Sequence, residues 1–145
     1  MQTMPEAVPC VTEFRVRYAE TDQMGVVYHA NYLVWCEIGR TELLRRLGPS
    51  YAEMERAGVV LAVSDAKLRY HVSARYDDLI RVTTRVAQVR SRLVEFEYEI
   101  ARVNADGGTT RLASASTTLI SLDPEGRPRI MPAETLALLR SAHAA

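Results

Sequence analysis

At 145 residues the chain fits one domain and is long enough to bury a core without disulfides or metals. Hydrophobic residues make up 48% and charged residues 25%, and the formal net charge is zero, so no electrostatic pull toward nucleic acid or an anionic membrane is expected. No apolar run approaches the ~20 residues of a membrane span, the first residues carry no signal-peptide pattern, and the two cysteines, Cys10 and Cys36, suit a reducing compartment; a cytoplasmic protein is expected.

Residues 1–11 contain proline and show no periodicity, which predicts a loose arm. Residues 13–18 alternate, with Phe14, Val16 and Tyr18 against Glu13, Arg15 and Arg17, as in a half-buried strand. An irregular stretch holding Asp22, Gly25, Val26 and Val27 follows. A helix is then predicted with Asn31 as its N-cap and Gly48-Pro49 as its stop. Tyr32, Cys36, Gly39, Leu43 and Leu47 fall on one helical face, yet Leu33, Val34, Trp35 and Ile38 lie off it. A helix apolar on nearly every side is enclosed by other structure, so this one is the predicted centre of the fold.

Residues 50–57 predict a short helix ended by Gly58, and four strands follow. In 59–72, Ala62, Ala66, Leu68, Tyr70 and Val72 share a side and Asp65 hints at a bulge. In 79–89 the inward set is Ile80, Val82, Thr84 and Val86, and in 93–103 it is Val94, Phe96, Tyr98 and Ile100. The turn at 90–92 sets Arg85 opposite Glu97, a charge match for an antiparallel hairpin. Asp106-Gly107-Gly108 signals the next turn. Strand 109–122 carries Ser and Thr on both faces, so it is read as a sheet edge or the lining of a site. A helix over 132–143 docks Leu136 and Leu139. Strands this long exceed the usual ~5–6 residues, so the sheet must curl, and a curled sheet wraps the one apolar helix available. The expected fold is α+β, a single domain over 1–145.

His29, His71 and His143 stand with the cysteines at spacings that fit no metal motif, so neither metal nor cofactor is expected. Cys36 and His29 are separated by about 10 Å of helix rise, too far for a nucleophile–base dyad. No Gly-rich phosphate loop or G-x-S-x-G elbow is present. Asp22 has two readings. It caps its loop, or its carboxylate and the unpaired amides at the helix start converge on one carbonyl, one attacking or activating water and the other holding the oxyanion.

The ordered residues Tyr18, Asp22, Gly25, His29, Asn31 and Tyr32, followed by Glu37 and Arg40, resemble the active-site segment of the 4-hydroxybenzoyl-CoA thioesterase-like branch of the hotdog-fold acyl-CoA thioesterases. The resemblance runs over nearly the whole chain. It implies a hotdog fold, in which a curled antiparallel sheet wraps one long helix, and hydrolysis of acyl-CoA to a carboxylic acid and CoA. It implies a homo-oligomer, dimer or tetramer (homotetramer among the expectations), with sites built between protomers. By the same resemblance Asp22 is the catalytic aspartate, with Tyr28 and His29 beside it and the His29 amide as oxyanion donor. Asn31, Arg90, Ser91 and Arg92 are expected to hold substrate and CoA, with Arg127 and Arg129 as a second cationic cluster. Benzoyl-specific members carry an aromatic residue and Pro where His29-Ala30 stands here, which points to a broader acyl-CoA subgroup. Glu37 is read as a second acid or, more simply, as the i,i+3 partner of Arg40. The rival reading is a non-catalytic hotdog protein that binds acyl-CoA or acyl carrier protein; a hotdog dehydratase fits the motif less well.

Overall fold

The computed structural model describes residues 9–48 and 51–143. Five strands form one antiparallel sheet in the order β1-β3-β4-β5-β2: β1 Cys10–Arg15, β2 Val60–Tyr70, β3 Leu79–Val89, β4 Leu93–Val103 and β5 Thr109–Leu122. Helix α1 (Asn31–Leu47) lies across the sheet, followed by α2 (Tyr51–Arg56), and α3 (Ala133–Ala142) comes after β5. This is the expected hotdog arrangement.

The period-2 alternation of the middle strands decides which face meets the helix. Ile80, Val82, Thr84 and Val86 of β3 are buried, as are Val94, Phe96, Tyr98 and Ile100 of β4. Arg85 lies opposite Glu97 in the register and bonds it at 3.0 Å on the outer face. The register of β2 against β5 shifts between Val63 and Asp65, the bulge expected near Asp65, and Asp65 itself is exposed.

Three expectations are corrected. Strand β1 begins at Cys10 and ends at Arg15, so residues 10 and 11 belong to the sheet and not to an arm; of the rest of the arm, Pro9 is exposed outside any element and residues 1–8 lie outside the described residues. Its end is set by its partner, because β3 starts at Leu79 opposite Arg15. Beyond that point Val16 bonds Asp78, and Tyr18–Glu20 close into a 3-10 turn with Tyr18 exposed against Tyr76. Strand β5 is not an edge. It lies between β4 and β2, its Thr117 hydroxyl meeting the Tyr98 hydroxyl at 2.6 Å inside the core. Asn31 is not the N-cap of α1: Ala30 holds that position with helical backbone angles (φ −67°, ψ −22°), and the Asn31 side chain donates instead to the Glu20 carbonyl.

The sheet curls over one side of α1. Tyr32, Trp35, Cys36, Gly39, Arg40, Leu43 and Leu44 are buried, and Phe14 meets Trp35 edge-on at 5.5 Å. A Cβ at Gly39 would stand 2.3 Å from Thr84 Oγ1 and 2.8 Å from Val82 Cγ1, so only glycine lets helix and sheet approach this closely. Leu33, Val34 and Ile38 remain 40–44% exposed, an apolar stripe on the side the sheet leaves open. α3 contributes Leu139, buried, and Leu136, partly buried, against the body.

Candidate active site

The segment between β1 and α1 is held by short-range bonds that its sequence dictates. Thr21 and Val27 form an isolated antiparallel bridge. Inside it, the Asp22 amide donates to the Val26 carbonyl at 2.9 Å, and the Gly25 amide donates to the Asp22 carbonyl at 3.0 Å. Gly25 has φ +78°, a left-handed conformation that suits glycine. Asp22 Oδ1 accepts from the Met24 amide at 2.9 Å, an Asx turn. Among the described residues, Oδ2 accepts no hydrogen bond. The carboxylate therefore shapes its loop with one oxygen and leaves the other available.

The loop is fastened to the helix start through Glu20. This carboxylate is 5% exposed. Oε1 accepts from the Arg17 amide at 2.8 Å, and Oε2 accepts from Trp35 Nε1 at 2.7 Å. The Glu20 carbonyl accepts from the Tyr28 amide at 2.9 Å and from Asn31 Nδ2 at 2.8 Å. Sequence reasoning gave Glu20 no role. Nothing in its position beside Asp22 signals that it pairs with an indole fifteen residues later, inside a helix.

At the helix start, Asn31, Tyr32 and Leu33 donate their amides to the carbonyls of Tyr28, His29 and Ala30. The amides of His29 and Ala30 donate to no acceptor among the described residues. They are the unpaired donors at the positive end of the helix dipole. Tyr28 and His29 are exposed, their rings 4.5 Å apart, and Tyr70 approaches the His29 ring edge-on at 6.5 Å. The Tyr70 hydroxyl donates to the His29 carbonyl at 2.9 Å, which fixes the orientation of the peptide leading into the helix. Burial pushes the phenols of Tyr32 and Tyr70 above their ordinary range, so both stay protonated at neutral pH. Burial also pushes the Cys36 thiol up to about 12 against the pull of Arg40, which leaves it inert as a nucleophile.

The remaining expected site residues lie elsewhere. Arg90, Ser91 and Arg92 are exposed on the β3–β4 hairpin, at the far end of β3 from the Asp22 loop, about 33 Å along the strand. The second arginine cluster joins them there. The Ser91 carbonyl accepts from Met131, the Arg92 carbonyl from Ser121, and the Ser121 carbonyl from Arg129. The Arg129 guanidinium, however, is spent on the Gly58 carbonyl at 2.8 Å. The expected Glu37–Arg40 pair does not form: Glu37 is exposed, while Arg40 turns into the core and donates to the Tyr98 hydroxyl at 3.1 Å.

A half-free carboxylate, two unpaired amides at a helix start and a wall of aromatic rings can polarise a carbonyl and deliver water to it. The sequence profile of the thioesterase-like superfamily matches residues 16–139. A putative acyl-CoA thioesterase of Bacillus subtilis, YneP, is 46% identical over 88 residues, covering 61% of this chain and 64% of that protein. The acyl-CoA thioester hydrolase YbgC of Escherichia coli is 34% identical over 124 residues, covering 85% of this chain and 90% of that protein. The solved DHNA-CoA thioesterase of Staphylococcus aureus superposes with a TM-score of 0.78 at 35% identity, covering 85% of this chain and 80% of that one. The chain belongs to the thioesterase-like superfamily, with the hotdog fold.

Proposed function

We propose that this protein is an acyl-CoA thioesterase that uses Asp22 as its reacting carboxylate. The observation that carries the reading is that, among the described residues, Asp22 Oδ2 and the His29 and Ala30 amides are all without hydrogen bonds, on a loop and a helix start that Glu20, two residues before Asp22, joins through the Tyr28 amide and the Asn31 side chain. The thioester carbonyl oxygen is taken by the His29 amide, with Tyr28 and His29 forming the rim of the acyl site and Asn31 at its edge. Asp22 Oδ2 removes a proton from water as the water oxygen attacks, or attacks the carbonyl itself and is released by water in a second step. In both routes the carbon–sulfur bond breaks and CoA leaves as a thiolate. A thiol ordinarily ionises near ~8.5, so its departure needs no strong general acid, and this sparse site suffices. The names of the relatives YneP and YbgC support the same substrate class.

The reading needs a second copy of the chain. The hairpin arginines lie at the opposite end of β3 from Asp22, about 33 Å along the strand. Two-fold pairing, which buries the same patch on both copies, sets the ends of the two sheets in opposite directions. Arg90 and Arg92 of one copy then face the CoA phosphates at the other copy's Asp22, with Ser91 between them. The exposed stripe of Leu33, Val34 and Ile38 and the edge of β2 that no described strand pairs are the surfaces such an oligomer covers, as a dimer or as the dimer unit of a tetramer. Buried free cysteines accord with a cytoplasmic setting, and no described helix is long and apolar enough to cross a membrane.

A panel of acyl-CoA substrates at fixed concentration, read by release of free CoA thiol, tests the activity. Turnover of at least one chain or aryl class is expected. Tight binding across the panel without thiol release would instead support a carrier or sensor of acyl-CoA.

A further inference from the structure

We propose that Glu20 is a positioning residue for the hydrolysis, setting the separation between the Asp22 carboxylate and the amides at the start of α1. The inference rests on the reading of Asp22 as the reacting carboxylate. Glu20 is two residues from Asp22 in the chain and is 5% exposed. Its backbone carbonyl takes donors from both sides of His29: the Tyr28 amide at 2.9 Å and Asn31 Nδ2 at 2.8 Å. Its carboxylate takes donors from both sides of the junction, the Arg17 amide at 2.8 Å before the loop and the Trp35 indole at 2.7 Å inside the helix. The Arg17 guanidinium, 3.6 Å away, is the nearest counter-charge, and it is largely exposed. One residue thus ties the end of the first strand, the Asp22 loop and the first two turns of α1 into a single unit.

The two bonds to the side chain require a carboxylate, whereas the two to the main-chain carbonyl do not depend on the residue type. Every partner is an N–H donor, and an ionised carboxylate is an acceptor on both oxygens. A glutamine of the same shape satisfies only one of the two side-chain donors. Its NH2 would face either the Arg17 amide or the Trp35 indole, donor against donor, in a buried site. Glu20→Gln therefore keeps the volume and moves the junction. A displacement near 1 Å in a reacting geometry costs about 10²-fold in rate, and the thioester senses this as kcat, since CoA binding is distant.

The test compares wild type, Glu20→Gln, Asp22→Asn and the double variant, with unfolding midpoint and oligomeric state measured for each. Glu20→Gln is expected to lower kcat about 10- to 100-fold, with KM changed less than about threefold. Because Glu20 acts through Asp22, the double variant is expected to be within about twofold of Asp22→Asn alone. Trp35, the only tryptophan in the sequence, reports the contact directly, and its emission is expected to shift in Glu20→Gln but not in Asp22→Asn. If Glu20→Gln does not fold, Trp35→Phe removes the indole donor while keeping the carboxylate, and a kcat loss of about threefold or more is expected from it. The proposal is overturned if Glu20→Gln or Trp35→Phe keeps wild-type kcat while Asp22→Asn is inactive. It is also overturned if the two losses multiply in the double variant. Full activity in Asp22→Asn would overturn the catalytic reading itself, a different failure.

Discussion

Arg40 Nη1 donates to the Tyr98 hydroxyl at 3.1 Å in the middle of the helix–sheet interface, and the same hydroxyl meets Thr117 Oγ1 at 2.6 Å. Arg40 is 8% exposed, and among the described residues no carboxylate pairs with it and its Nε has no partner. A buried cation of this kind is costly, and replacing it by an apolar residue of similar volume is neutral or stabilising by about 1–4 kcal/mol. Arg40→Met is therefore expected to raise or preserve the unfolding free energy in urea. Tyr98→Phe, which strips the guanidinium of its acceptor, is expected to lower it by about 1–3 kcal/mol. A large loss in Arg40→Met would mean that an acidic group outside the described chain pairs with Arg40.

The buried thiol of Cys36 makes stability fall at alkaline pH. Its ordinary ionisation is at 9.0, and burial pushes it up to about 12 in the folded protein. Between those values the unfolded chain loses the proton and the folded chain keeps it, so raising the pH favours unfolding. The stabilisation is complete below pH 9 and declines on the order of 4 kcal/mol by pH 12. Tyr98, whose phenol burial also pushes up, adds in the same direction. Urea midpoints measured from pH 8 upward are expected to fall, and to fall less steeply in Cys36→Ala. Parallel slopes would contradict the assignment.

The apolar stripe on α1 makes the oligomer testable without touching the core. Val34 and Ile38 are 44% and 40% exposed in the protomer, so Val34→Asp with Ile38→Asp leaves each protomer folded. Buried in an interface, each charge costs several kcal/mol, which raises the dissociation constant about 100-fold or more. Sedimentation is expected to show smaller particles with unchanged circular dichroism. An unchanged mass would remove this stripe from the interface.

Arg90 and Arg92 are remote from the carbonyl, so Arg90→Ala with Arg92→Ala is expected to raise KM for acyl-CoA about 10-fold or more, with kcat nearly unchanged. The effect is expected to vanish with a pantetheine thioester, which lacks the nucleotide. Equal losses on both substrates would show that these arginines do not meet the phosphates.

Much of this organisation was legible in the sequence because one physical signal decided it. The alternation of Ile80 to Val86 and of Val94 to Ile100 gave the buried face of the central strands, and Asp65 marked its bulge. What was missed depended on partners far along the chain. The end of β1 is fixed by where β3 begins, not by the alternation that continues through Tyr18. Strand β5 carries hydroxyls, yet it lies inside the sheet because Thr117 finds Tyr98 on the helix side, while Ser114 and Ser116 line the outer face beside Glu97. Asn31 has the residue type of an N-cap, but Glu20 claims its side chain. Arg40 and Glu37 have the spacing of a surface pair, and the close approach at Gly39 instead brings Arg40 to Tyr98. Within the candidate site, Asp22 and His29 stood out by motif, whereas Glu20 acts through tertiary bonds that no local pattern encodes.

Asp22→Asn tests the central claim most directly. The amide keeps the side-chain size and retains an oxygen to accept from Met24, as Oδ1 does at 2.9 Å, so the loop and the fold are expected to survive. What disappears is the negative charge that takes a proton from water or attacks the thioester. Steady-state hydrolysis of an acyl-CoA accepted by the wild type is expected to show kcat lower by ~10²-fold or more, with KM little changed and intact acyl-CoA retained on the protein. A folded Asp22→Asn protein that hydrolyses the thioester at the wild-type rate would contradict the account and leave Asp22 as the cap of its loop.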